Sequence, residues 1–292
     1  MKWKGRRSSE NVQDRRGQSL RAGGGAGILG LLLNVSSRFG IKGILAAIVV
    51  VGVLWKLGVV DPAQLLGGAP QSTNVPVQAS AEEQERLGFV TVVLADTEDV
   101  WHAEFSRLGA QYREPQLAVF RSGVQTGCGA ASAAVGPFYC PADGTIYIDL
   151  GFYDQLARAL GAPGDFAQAY VLAHEVGHHV QTLLGTSQKV QAMRGRPDYN
   201  EYSVRLELQA DYYAGVWAHH SRRYLEPGDI EEAVRAANAI GDDAIQGKTR
   251  GEALPHTFTH GTSEQRMRWF QRGLQSGLLD GGDTFSLSYQ QL

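Results

Sequence analysis

His174-Glu175-Val176-Gly177-His178-His179 lies within the largely apolar stretch from Phe166 to Leu184. Residues four apart on an α-helix share one face, one turn above the other. His174 and His178 therefore present two imidazole nitrogens to a single metal ion. Glu175 follows the first histidine and projects toward the open side of that ion, where a carboxylate takes a proton from water. H-E-x-x-H also arises by chance in unrelated helices, so the surrounding chain must supply a third ligand and a fold that delivers it.

A catalytic zinc keeps three protein ligands and one open position. The segment Arg205-Leu206-Glu207-Leu208-Gln209-Ala210-Asp211 sits in a helical pattern over 199–224, and Glu207 and Asp211 share a face of it. Glu207 is the expected third ligand. Asp211 is the expected acceptor for a ligand histidine's other N–H. Glu201 and Asp211 are the alternatives for the third position. Alone, Glu207 would read as a solvated helix carboxylate; the upstream motif promotes it. His179 points about 100° from His178 and reads as a packing residue. His219 and His220 fall at a helix end, where partial positive charge is favoured without any metal. Tyr212, Tyr213, Trp269 and Phe270 read as core.

Around these segments the pattern is α+β. From Ala81, Leu87, Val90, Val93, Leu94, Val100, Trp101 and Phe105 recur at helical steps. Leu117–Phe120, Pro137–Cys140 and Thr145–Leu150 read as short strands, the last two joined by the turn Pro141-Ala142-Asp143-Gly144 into a hairpin. Helices are expected over 152–160, 165–184, 199–224, 227–245 and 263–276. The last would open with Ser263 as N-cap and Arg266 at its third position, half a capping box. The expected architecture is a small mixed sheet over a helical lobe, with the metal-carrying helix beneath the sheet.

The net charge of -3 conceals an asymmetry: residues 1–56 carry +8 and residues 57–292 carry -11. A basic head, an apolar stretch and an acidic body point to a membrane-anchored protein and away from a nucleic-acid binder. The apolar stretch runs Ile41–Val60, and twenty helical residues span roughly 30 Å, one hydrocarbon core. The expected organisation is a basic Gly-rich cytoplasmic segment over 1–40, unstructured at least through 24, and a single transmembrane helix over 41–60. A linker over 61–80 and an extracytoplasmic domain over 81–292 would follow. Ala26–Leu33 is too short to span. Cys128 and Cys140 fall in the exported part, where an even count favours a disulfide worth about 3 kcal/mol.

Glu207-Leu208-Gln209-Ala210-Asp211 matches E-x-x-A-D, and the chain resembles the zinc metallopeptidases in which that motif follows H-E-x-x-H. Membrane-bound members carry a His and an Arg six residues apart further on, as His260 and Arg266 are here. The resemblance implies that His260 stabilises the tetrahedral intermediate and that Arg266 braces acidic residues of the site; His256 is the alternative stabiliser. Those enzymes often have prolines where this chain has Gly261-Thr262-Ser263. A closer resemblance rests on CGAASAAVGPFYCPADGTIYIDL, AHEVGHHVQ, ELQADYYAGVWAH and FTHGTSEQRMRWFQRG, in order over residues 128–273. These resemble the bacterial putative neutral zinc metallopeptidases of the YpfJ type. That implies a zinc peptidase domain, zincin-like and holding one Zn2+, on a single-pass anchor in the bacterial inner membrane. It implies no particular substrate; the protein or peptide substrate is expected from the mechanism that the residues allow. Substrate is expected as an extended strand along an edge within Gly129–Tyr139. The competing expectations are a catalytically silent zinc-binding scaffold at the membrane and a protease kept latent by its own linker.

Overall fold

The computed structural model describes residues 1–18 and 77–292. The expected span over 41–60 and all but the last residues of the expected linker lie outside the described residues. Among the described residues, no helix is long and apolar enough to cross a membrane.

The chain begins with an element that the sequence reading missed. Strand β1, Val12–Asp14, is parallel to β2, Gln116–Phe120, with Val12 opposite Leu117 and Asp14 opposite Val119. Between β1 and β2 runs the long helix α1, Ala81–Arg107. Its start is set by Ser80, whose side chain accepts from the Glu83 N–H at 3.1 Å, with Glu82 and Glu83 placed favourably at the positive end of the helix. Almost every residue from Phe89 to Trp101 is buried, polar ones included. The polar face is covered by residues 1–11. Arg6 and Trp217 pair with Asp96, Arg7 and Asn11 bond Glu98, and the Ser9 N–H donates to the Thr91 carbonyl at 2.9 Å. The expectation that residues 1–24 lack structure is thus corrected for residues 1–16. Their arginines look solvated in sequence because the carboxylates they neutralise lie some ninety residues away. Met1–Arg16 and Val77–Leu292 make one compact unit.

After β2 come the hairpin β3, Gly123–Thr126, with β4, Gly129–Ser132, then β5, Phe138–Cys140, and β6, Thr145–Asp149. The four-stranded sheet has the order β1-β2-β6-β5, with β2 parallel to β6 and β5 antiparallel to it. The expected β5–β6 hairpin is present, and β5 forms an edge. Alternation along β2 and β6 splits the side chains between two cores. Leu117, Val119, Ile146 and Ile148 face the helices. Ala118, Phe120 and Tyr147 meet Val124 and Cys140 beneath the β3–β4 hairpin. The disulfide Cys128–Cys140, Cα atoms 5.8 Å apart, ties the tip of that hairpin to the edge strand.

The helical lobe follows: α2 (Phe152–Arg158), α3 (Asp165–Leu183), α4 (Thr186–Gln191), α5 (Tyr199–His220), α6 (Asp229–Ala239), α7 (Asp242–Arg250) and α8 (Ser263–Ser276). Two expectations need correction. The helix expected over 227–245 is broken at Ile240-Gly241, where Gly241 packs against the Ser263 backbone so closely that a Cβ would lie 2.4 Å from its nitrogen. The N-cap of α8 is Thr262, not Ser263. With Gln265 at the third position, the capping box is complete.

Candidate metal centre

Helix α3 passes α5 at the point where Gly177 faces Ala210. A Cβ on Gly177 would come within 2.9 Å of the Ala210 carbonyl oxygen, so the middle glycine of the motif is what lets the two backbones approach. That approach brings His174 and His178 of α3 to Glu207 of α5. His174 Nε2 is 3.1 Å from Glu207 Oε2, and His178 Nε2 is 3.5 Å from Glu207 Oε1. Two atoms bound to one tetrahedral ion at ordinary zinc distances sit roughly 3.4 Å apart. These separations bracket that value, and the donor atoms of all three residues fall within 4.8 Å of one another. Two nitrogens and a carboxylate oxygen are the donor set that suits Zn2+, so the residues present fit the ion.

Each imidazole is held from behind. The Nδ1 of His174 is 2.7 Å from Asp211 Oδ1, and the Nδ1 of His178 is 2.9 Å from Gln181 Oε1. Both Nε2 atoms therefore face Glu207. Asp211, fully buried, also accepts from the Tyr170 hydroxyl at 2.5 Å and from Arg266, whose Nε and Nη2 each lie 2.9 Å from it. Arg266 reaches Asp211 because α8 lies against α5 with almost no gap: a Cβ on Gly273 would sit 2.0 Å from the Tyr212 carbonyl oxygen. Arg266, expected to brace an acidic residue of the site, lies in a bidentate pair with Asp211. Gln181 escaped the sequence reading, although its place three residues after His178 puts it on the same helix face. In turn its amide donates to the Leu206 carbonyl at 2.6 Å and to Gln209.

The field of the site favours positive charge. Burial works against protonation of His174, yet Asp211 and Glu207 lift its pKa to about 9. Burial likewise pushes the Glu207 carboxyl upward, and the charge and hydrogen bonds of the facing histidines overcome it, leaving it well below the usual range. A divalent cation supplies that positive charge with both rings neutral. Glu175 shifts the other way. It is buried, and burial raises its pKa against the nearby His178 and His174 and a backbone hydrogen bond from Tyr139 of β5. A carboxylate with a raised pKa beside a metal position suits general-base work.

His260 lines the same cleft, half exposed. Its Nδ1 is 3.2 Å from Asp242 Oδ1. Asp242 Oδ2 accepts in addition from the backbone N–H groups of Thr259, His260 and Gly261, at 2.7, 2.6 and 3.1 Å. One carboxylate thus shapes the loop and orients the imidazole. Asp242 was missed in the sequence because it lies in what read as continuous helix. His256 is exposed, and Glu201 stands outside the donor trio. Buried His179 is also outside it: its Nε2 donates to the Arg113 carbonyl at 2.6 Å and its Nδ1 meets the Tyr139 hydroxyl at 3.1 Å. Burial lowers its pKa, consistent with a neutral ring that locks α3 to the edge strand.

The cleft has a volume of about 750 Å³. Phe138 and Tyr139 of β5 border it, and Val171, Leu206, Ile240 and Ile245 give it apolar walls. His174, Glu175, His178, Glu207 and His260 all open into it.

Comparison with known proteins identifies a family. The family described as "Putative neutral zinc metallopeptidase" matches residues 1–285. The chain is similar to the Uncharacterized protein YpfJ of Escherichia coli (strain K12), 48% identical over 95% of this chain and 96% of the relative. It is also similar to the Uncharacterized protein Rv2575 of Mycobacterium tuberculosis (strain H37Rv), 42% identical over 78% of this chain and 83% of the relative. No solved structure matches the chain.

Proposed function

Because the chain belongs to the putative neutral zinc metallopeptidase family, we propose that it is a zinc metalloendopeptidase with a zincin-like domain, hydrolysing peptide bonds in the cleft below β5. The observation that carries this reading is the convergence of His174, His178 and Glu207 beside buried Glu175 in that cleft.

His174, His178 and Glu207 would hold one Zn2+, which supplies Lewis acidity and brings the pKa of water at its open position to about 7. Substrate lies extended along β5, the edge strand among the described residues, exchanging main-chain hydrogen bonds with it. Glu175 accepts a proton from the attacking water and later passes it to the leaving amine. His260, held by Asp242, faces the cleft where the carbonyl oxygen gains charge, and donates to it. Asp211, fixed by Tyr170 and Arg266, keeps His174 in the tautomer that presents Nε2.

A silent zinc-binding scaffold does not account for Glu175. A structural zinc site closes with four protein ligands. Here, among the described residues, three donors converge, next to a carboxylate whose burial costs the fold. The test is metal analysis joined to an unbiased peptide-cleavage profile of wild type and Glu175→Gln. Stoichiometric zinc in both with cleavage in wild type alone is expected. Stoichiometric zinc with no cleavage of any peptide by wild type overturns the proposal.

A further inference from the structure

Residues 1–16 are part of the body that carries the candidate metal centre, and this bears on whether a membrane can separate the two. β1 is an in-register strand of the same sheet as β6 and β5. The buried carboxylates Asp96 and Glu98 on α1 take their cationic partners from Arg6 and Arg7. Removing those partners leaves buried charges uncompensated. Met1 adds a third tie, since its α-ammonium lies 2.8 Å from Asp165 at the start of α3 and 3.4 Å from Asp229 at the start of α6.

The two points at which the described chain is interrupted are also close together. Arg16 pairs with Glu83 in the first turn of α1 at 3.1 Å, and Glu83 pairs in turn with Arg121 beside β2. The chain therefore leaves this body and returns to it at one place.

A single membrane pass at Ile41–Val60 would put residues 1–16 and 77–292 on opposite faces of the bilayer. One sheet and one core cannot be assembled across a hydrocarbon layer. We propose that Met1–Arg16 and the metal centre occupy the same compartment. Whatever contact residues 17–76 make with lipid then begins and ends on one face of the membrane, and the positive-inside reading of the basic head no longer sets a topology opposite to that of the body. This inference is independent of the peptidase reading, because it stands on the sheet and the buried ion pairs alone.

The test uses the full chain in bacterial cells, with single reporters Ser8→Cys or Gln290→Cys at exposed positions. Both native cysteines are paired, so the parent chain serves as the blank. A membrane-impermeant maleimide should label both reporters or neither in intact cells, and both after permeabilisation. Labelling of one in intact cells, with the other reached only after permeabilisation, overturns the proposal. A second measurement covers undocking of the head. Asn11 and Glu114 touch at 2.6 Å, so Asn11→Cys with Glu114→Cys should crosslink through a short bifunctional maleimide in unbroken membranes. Failure of that crosslink also overturns it.

Discussion

The Nδ1 of His174 lies 2.7 Å from Asp211 Oδ1, and the same buried carboxylate is clamped bidentately by Arg266. A ligand on α3 is thus oriented by a residue on α5, which is held in turn by a residue on α8. Asp211→Asn keeps the shape but gives up the charge and leaves Arg266 buried without its counter-ion. Zinc affinity should fall about 10- to 100-fold, and stability by about 3–5 kcal/mol, read by competitive chelator titration and thermal unfolding. The pH sign follows from the depressed Asp211 carboxyl, which owes its low value to Arg266 and His174 acting against burial. Its contribution is present above the unfolded value, near pH 3.9, and is lost as pH falls through the lower folded value. Wild type, but not Asp211→Asn, should lose this stability below about pH 4.

Glu175 has the opposite linkage. Burial raises its carboxyl, so the group stabilises the fold only when protonated, and that contribution is lost as pH rises through the folded value. Glu175→Gln should bind zinc as wild type does and lose about 10²–10⁴ in kcat. Its metal-free form should melt no lower than wild type at pH 7, since an unfavourable buried charge has gone. A fall in melting temperature would mean that the carboxylate is a structural partner and not a base held at a cost.

Much of this site could be read along the chain because its spacing is helical. His174 and His178 repeat at one turn, as do Glu207 and Asp211, and a helix fixes where such residues point. The β5–β6 hairpin announced itself through its Pro141–Gly144 turn. What escaped depends on contacts between distant segments. β1 is three residues long and its stability comes from β2 and α1, so its own periodicity carries no signal. Arg6 and Arg7 read as surface charge until Asp96 and Glu98 are placed beside them. Asp242 was hidden inside an apparently continuous helix, and the break at Gly241 is imposed by Ser263 from another element. Thr262 and Ser263 are both competent N-caps. Only the Gln265 side chain, three residues after Thr262, chooses between them.

Gly177 tests the helix approach directly. An alanine there gains about 1 kcal/mol of helix propensity, but its Cβ would meet the Ala210 backbone at 2.9 Å, and a backbone carbonyl cannot swing aside. Overpacking of this kind costs about 1–3 kcal/mol, so the clash wins. The shift falls on the pair of helices that set the His174–Glu207 and His178–Glu207 separations. Gly177→Ala should therefore weaken zinc binding out of proportion to its effect on melting, as seen by comparing chelator titration with thermal unfolding. Wild-type zinc affinity in this variant would show that the ligands do not depend on the close crossing.

The disulfide acts on the strand that borders the cleft. Cys128–Cys140 anchors the β3–β4 hairpin to β5, and neither cysteine belongs to the His174, His178 and Glu207 donor trio. Cys128→Ser with Cys140→Ala should lower stability by about 3 kcal/mol and raise KM for peptides, while zinc content stays stoichiometric. Reduction of wild type should reproduce the change in melting temperature.

Asp242 gives the last prediction. Its hydrogen bond is the largest influence holding the His260 pKa above its ordinary value, against burial and with help from Glu207. The imidazolium therefore persists to higher pH than a free histidine would allow. If protonated His260 donates to the reacting carbonyl, activity falls on the alkaline side as that proton is lost. Asp242→Asn should move this limb toward lower pH. His260→Ala should remove the limb and cost about 10²–10³ in kcat. The two changes act on one unit, so the double variant should lose little more than His260→Ala alone. Additive losses, or an unmoved alkaline limb in Asp242→Asn, would show that Asp242 only shapes the loop through the Thr259, His260 and Gly261 amides and does not act through the imidazole.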